Sequence, residues 1–280
     1  MLKRYRHYQK GQAIVLSCFG SLASCERYIN LKQQIAARYP DCDVVLALSS
    51  KTVLKRLNQE AHGHPWLNLP QQLARLDLEG YSQIIVIPCY LYPTDEYRSV
   101  RQVVDGFTQF SLATIWLTPA IMQKSADSNA ILGALSAHFS REPGVNLFIY
   151  HGAPQLNDAG HQALTYSMQL LTQLSPRHFS CSLEGVMPYR LLADALVRQI
   201  RDLGQWPVRL IPMLLVSGNH FRHDLTEIQA DLATRLGRES GIEVAAPIAG
   251  EQFCLLDFAP VTEVIFAHID EARRCLTSEY

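Results

Sequence analysis

The sequence predicts an α/β protein of two similar lobes, each a mainly parallel sheet flanked by helices, with the active site in the cleft between the lobes. Three observations predict it. Strand-like and helix-like segments alternate along the whole chain, the signature of βαβ units. The strand-like segments are short runs rich in Val, Ile and Leu, as in strands covered on both faces. Finally, the two halves carry a near-repeat: Ile87-Pro88-Cys89-Tyr90-Leu91-Tyr92-Pro93-Thr94-Asp95-Glu96-Tyr97 in the first and Ile211-Pro212-Met213-Leu214-Leu215-Val216-Ser217-Gly218-Asn219-His220-Phe221 in the second.

In chain order, an apolar strand at 13–19 leads through Gly20 to a helix at 23–38. A strand at 43–48 and helices at 50–59 and 69–79 follow. The Ile-Pro strand at 83–91 ends in a polar loop before a helix at 97–106, and a strand at 112–117 completes the first half. Segment 118–144 joins the halves and contains a helix at 125–139. The second half opens like the first, with a strand at 145–150 and another trailing glycine, Gly152. Helix 156–173, strand 179–183, helix 189–203, the second Ile-Pro strand at 207–216, helix 222–237, strand 242–245 and helix 261–276 complete it. The division expected from this pattern is an N-terminal lobe over 1–125 and a C-terminal lobe over 126–280, related by an ancient duplication.

Composition excludes several classes. With 48% hydrophobic and 18% charged residues over 280 positions, the chain can bury one large or two medium cores. A formal net charge of −1 gives no electrostatic footprint for nucleic acid. No apolar run reaches the roughly 18 residues that cross a bilayer, so no membrane partner is expected. The seven cysteines are odd in number, scattered and without a CxxC pair, which reads as buried thiols in a reducing compartment. The basic start, Lys3-Arg4-Tyr5-Arg6, and Leu22-Ala23-Ser24-Cys25 have the outline of a cleavable signal. The intervening apolar run is broken by Ser17, Cys18 and Gly20, and it reads better as the first strand of a cytoplasmic protein. There is no Walker pattern and no GxGxxG after a strand, so neither ATP nor a dinucleotide is expected.

The candidate chemistry lies at strand ends. Nine residues beyond the isoleucine of each Ile-Pro pair stand Glu96 and His220, and His151 follows the strand 145–150. In parallel sheets, ligands bind beyond the carboxyl ends of the strands, which puts the three on one functional side. Two imidazoles and a carboxylate suit a first-row divalent metal and leave coordination positions open. Glu184 follows strand 179–183 and is a further candidate for the same cleft. Glu96 also has a local reading, because a carboxylate favours a helix N-terminus. His223, His62 and His64 read as solvated histidines, and Ser17 and Ser21 have no base that would make either a nucleophile.

These segments resemble those of the class II tetrapyrrole chelatases, and most closely the anaerobic sirohydrochlorin cobaltochelatases of the CbiK type. Ala13 to Ser21 is similar to the family's opening strand and Ser-Phe-Gly-Thr-Ser-like loop, and Leu48 to Leu57 to its Thr-Ser loop and following helix. Asp95-Glu96-Tyr97 is similar to its Gly-Asp-Glu-Tyr, and His151-Gly152-Ala153 to its Gly-His-Gly. Ile211 to His220 is similar to its Met-Pro-Leu-Met-Leu-Val-Ala-Gly-Asp-His, the longest and most specific of the matches. Tyr150, Thr94 and Asn219 depart from the pattern, but none of them replaces a proposed ligand.

The resemblance implies ATP-independent insertion of Co2+ into sirohydrochlorin, for cobalamin synthesis, with Fe2+ or Ni2+ as alternative metals and another tetrapyrrole as an alternative ring. A non-catalytic metal or tetrapyrrole carrier is the reading from another class. His151 is implied as base and metal ligand, Glu96 and His220 as metal ligands, and Glu184 as a proton relay. Imidazole acts in neutral form in these roles, so activity is expected to fall as pH drops through the histidine range. Lys51, Arg98, Arg190 and Arg222 are candidates for holding substrate carboxylates. Members of the family vary in oligomeric state, which leaves a homo-oligomer open.

Overall fold

The computed structural model describes residues 6–21, 25–60, 65–216, 218–238 and 241–278, with the side chains of Asn219, His220 and Ser278 outside the described set. His62 and His64 also lie outside it. The chain divides into two compact units, one made of Met1–Ile121 with Thr262–Tyr280 and the other of Met122–Val261.

The first unit contains β1 (Lys10–Cys18), α1 (Cys25–Arg38), β2 (Cys42–Leu48), α2 (Lys51–Glu60), α3 (Leu69–Glu79), β3 (Tyr81–Pro88), α4 (Asp95–Thr108) and β4 (Thr114–Leu117). Its sheet is parallel throughout, in the order β2-β1-β3-β4. Ala13 to Cys18 of the central strand β1 are all buried, which is why that run is almost purely apolar. Helix α3 starts at a reciprocal capping box between Asn68 and Gln71 and stops at Gly80, whose φ of 85° favours glycine.

The second unit contains α5 (Ser125–Phe139), β5 (Val145–Tyr150), α6 (Ala159–Leu174), β6 (His178–Ser182), α7 (Tyr189–Leu203), β7 (Val208–Met213), α8 (Asn219–Leu236) and β8 (Ile242–Val244). Its parallel sheet repeats the first order, β6-β5-β7-β8. The two-lobe α/β architecture read from the near-repeat is therefore present. The strand expected over 207–216 ends at Met213, but the line of the chain continues, since Leu214 and Leu215 accept backbone hydrogen bonds from Leu255 and Leu256 at 2.9 and 3.0 Å.

The last helix, α9 (Ala259–Ser278), differs from the expected division at 125/126, which placed it in the C-terminal lobe. From Thr262 onward it belongs to the first unit. Asp270 accepts from the Tyr39 hydroxyl at 2.7 Å and pairs with Arg38 at 3.0 Å, and Gln83 donates to the Leu276 carbonyl at 3.3 Å. The helix buries Ile265, Ile269, Ala272 and Leu276. That spacing shows that the helix has an apolar face; it does not say which sheet receives it.

The amino end of the second sheet is held by one buried and one half-buried arginine. Arg209, with 9% of its side chain exposed, pairs with Glu142 at 3.0 Å and Glu243 at 3.3 Å and donates to the Pro143 carbonyl at 2.8 Å. Arg177 donates to the carbonyls of Ser140 and Glu142 at 3.0 and 2.9 Å. Nearby, His178 is buried edge-on against Phe148, with 5.2 Å between ring centroids. Burial, and secondarily the Arg177 charge, pushes its pKa below the ordinary histidine value.

Below an unfolded histidine value of about 6.5, the unfolded chain takes up a proton that the fold resists. Stability is fully present above that value and is lost as pH falls toward the lowered folded value. The urea midpoint should therefore drop between pH 7 and pH 5, and His178→Gln should flatten part of that drop. An unchanged slope in the variant would remove His178 from the acid sensitivity.

Candidate functional site

His151 follows β5 directly, and Glu184 stands two residues past β6. Register explains why they meet. Tyr150 pairs with Ser182 at the ends of their strands. The backbone match then continues outward, with the Leu183 amide donating to Tyr150 O at 2.9 Å and the Glu184 amide to His151 O at 3.2 Å. The result brings His151 Nδ1 to 3.6 Å from Glu184 Oε1. At that distance the contact is an ion pair when the imidazole is protonated, and too long for a good hydrogen bond. The side chains are 63% and 56% exposed, so solvent screens the pair and its contribution to stability is small.

Two glycines lock these loops together. Gly152 has φ of 101°, and a Cβ there would lie 1.9 Å from the Glu184 carbonyl oxygen. Gly185 has φ of 69°, and a Cβ there would lie 2.0 Å from the Ala153 carbonyl oxygen. Each loop thus occupies the space a side chain would need on the other. Beneath them, the buried Ser182 hydroxyl donates to the carbonyls of Glu184, at 2.8 Å, and Val186. Met187 closes the turn with φ of 51°, unusual for a residue with a side chain.

A cavity of about 440 Å³ opens beside the pair, lined by His151, Leu183 and Glu184, by Tyr189 and Arg190 of α7, and by Asp224, Glu227, Ile228 and Asp231 of α8. The Tyr189 hydroxyl donates to Asp231 at 2.7 Å, and Arg235 Nε donates to the same oxygen at 2.7 Å. Burial and the Asp231 carboxylate push the Tyr189 phenol far above its ordinary pKa, so it remains a donor. The acidic stripe was not singled out from sequence, although Asp224, Glu227 and Asp231 have helical spacing that places them on one face. Gly185 was also missed; its signal is the Glu-Gly step straight after a strand.

The other candidates are placed as follows. His220 lies in the first turn of α8, after β7, and its side chain is outside the described set. The sheet order reverses direction between β5 and β7, and His151 and His220 follow these two strands. That is the switch point at which open parallel sheets bind ligands. Glu96 belongs to the first unit, exposed at the start of α4, where the Thr94 hydroxyl donates to it at 3.1 Å. Asp95 pairs with Arg98 at 3.1 Å. His223 faces Glu227 at 3.3 Å, one helical turn away and well exposed, in keeping with the solvated reading. Among the described residues, which exclude the His220 side chain, no three His, Cys, Asp or Glu side chains converge on a metal position. No helix among them is long and apolar enough to cross a membrane.

Comparison with known proteins agrees with this fold. Over 270 residues the chain is 24% identical to the sirohydrochlorin cobaltochelatase of Salmonella typhimurium, covering 94% of this chain and 93% of that one. The sirohydrochlorin chelatase SirB from Bacillus subtilis subspecies spizizenii, solved in complex with cobalt, superposes with a TM-score of 0.60 at 11% identity, covering 94% of this chain and 95% of that one. CbiX, the terminal enzyme of siroheme biosynthesis in denitrifying bacteria, gives a TM-score of 0.50 at 14% identity, covering 92% and 98%. These two likenesses concern the fold. Residues 12–272 match the family model for cobalt chelatase (CbiK), and the chain belongs to that family.

Proposed function

We infer that this chain inserts Co2+ into sirohydrochlorin without ATP, with His151 as the central catalytic group. The observation that carries this reading is the exposed His151–Glu184 pair, at the carboxyl edge of a sheet, in a chain whose residues 12–272 match the cobalt chelatase family.

Metal insertion demands three things of a protein. It must hold a divalent ion loosely, accept two pyrrole protons, and seat a flat ring with its nitrogens toward the ion. Imidazole and carboxylate ligands suit a first-row metal that has to be passed on. His151 in neutral form takes a ring N–H proton. The imidazolium so formed lies 3.6 Å from Glu184, whose carboxylate stabilises it until water removes the proton and frees the imidazole to take the second. The pair's exposure supports that exchange, because both groups stand in contact with solvent. Glu96 and His220 enter this proposal as metal ligands on the likeness of Asp95-Glu96-Tyr97 and Ile211 to His220 to the family's segments. Gly152 and Gly185 let the two loops approach closely enough for these side chains to meet.

The first test is anaerobic insertion of Co2+, Fe2+ and Ni2+ into sirohydrochlorin, followed by visible absorbance and without ATP. Multiple turnovers above the spontaneous rate, fastest with Co2+, are expected. A faster rate with Fe2+ would reassign the metal, and bound ring without turnover would make the chain a carrier. His151→Ala should reduce insertion at least a hundredfold and leave the urea midpoint unchanged. Full activity in that variant would exclude His151 from the chemistry.

Gly185→Ala should destabilise the fold by about 1–3 kcal/mol and slow insertion. Gly133→Ala, where a Cβ meets nothing within 4 Å, should have neither effect. Equal stability and activity in the two variants would mean that the loops separate freely and do not position the pair.

A further inference from the structure

We propose that Arg190 binds a peripheral carboxylate of the tetrapyrrole and thereby sets which edge of the ring is presented at His151. The proposal rests on the function inferred above and adds a recognition residue to it. The sequence offers Lys51, Arg98, Arg190 and Arg222 as candidate carboxylate holders, and the structure separates them. Arg190 lines the cavity that contains His151 and Glu184, and Arg222 does not. Lys51 and Arg98 belong to the first unit, and Arg98 already pairs with Asp95 at 3.1 Å.

Arg190 stands in the first turn of α7 and is exposed. A cation there is opposed by the helix dipole, so its charge does nothing for α7. Four carboxylates line the same cavity, yet none pairs with it. Glu184 faces His151 at 3.6 Å, Glu227 faces His223 at 3.3 Å, and Asp231 takes hydrogen bonds from Tyr189 and Arg235 at 2.7 Å. Asp224, the fourth, forms no ion pair with Arg190, and Arg190 has no ion pair or side-chain hydrogen bond among the described residues. The lining therefore has an acidic wall from α8 and one uncommitted guanidinium from α7. The acidic wall repels the carboxylates on the rim of the ring and attracts a divalent ion. A rim carboxylate entering this cavity finds its partner at Arg190, whose planar fork matches it with two hydrogen bonds.

The test is binding of metal-free sirohydrochlorin to the full chain, followed by absorbance at several salt concentrations. Arg190→Gln should raise Kd about tenfold at low salt and flatten its salt dependence, and KM for the ring should rise in step. Arg190→Lys should recover part of the loss, because it restores the charge without the fork. Co2+ affinity in the absence of ring should not weaken in either variant. The same Kd and salt slope in Arg190→Gln as in wild type would overturn the proposal, as would failure of the wild-type chain to bind the ring. Arg190-dependent binding without metal insertion would uphold the proposal and overturn the chelatase reading instead.

Discussion

A strand buried on both faces has no room for a polar side chain except at its ends, and that constraint organises the second unit. Every residue of β5 and β7 is buried, Arg209 at the amino end of β7 included. The charged chemistry is consequently split between the two edges of the sheet. At the amino edge, Arg209 and Arg177 are tied to carboxylates and carbonyls and close the turn after α5. At the carboxyl edge, His151 and Glu184 stand in solvent. The same parallel register that buries the strands also aligns their ends, and two backbone hydrogen bonds past the pairing of Tyr150 with Ser182 carry that alignment into the loops.

Register alone would leave two exposed side chains on separable loops. Gly152 and Gly185 leave room for the loops to approach closely, the backbone hydrogen bonds from Leu183 and Glu184 hold them there, and the Ser182 hydroxyl holds the turn from below. Met187, with its positive φ, carries a cost of about 1–3 kcal/mol. The surrounding bonds impose it, since the Met187 carbonyl is the acceptor for the Ser182 amide at 3.1 Å. The strain sits in backbone, while the His151 and Glu184 side chains keep their access to water.

Much of this was legible in the sequence, for identifiable reasons. Strands covered on both faces are nearly pure Val, Ile and Leu, so β1, β3, β5 and β7 declared themselves. The repeated Ile-Pro segment indicated two units of one order. His151 and Glu184 could be found because they follow such runs at once. What escaped was set by tertiary partners. The amphipathic face of α9 is visible, but the Arg38 and Tyr39 that receive Asp270 lie more than 200 residues earlier. The acidic stripe of α8 looks like any solvated helix face until α7 brings Tyr189 and Arg190 against it. Gly185 reads as a turn residue, and only the carbonyl of Ala153 beside it explains why a larger residue would not fit.

The exposure of the His151–Glu184 pair is itself an argument about the kind of chemistry the site serves. A resident catalytic metal is retained by several ligands fixed in a dry shell. A metal that is a substrate has to be released into the product, and strong retention would oppose that step. The fold does take a charged side chain out of water at the amino edge, where Arg209 has 9% of its side chain exposed and pairs with the more exposed Glu142 and Glu243. At the carboxyl edge it instead places an imidazole and a carboxylate 3.6 Å apart with more than half of each side chain in water. There, attraction for a cation is screened. Under the proposed function, a divalent ion is drawn toward the carboxylates of α8 and released to ring nitrogens as they lose their protons. Under the proposed function, weak holding at this edge is a physical requirement of transfer, and the paired strand ends supply its geometry.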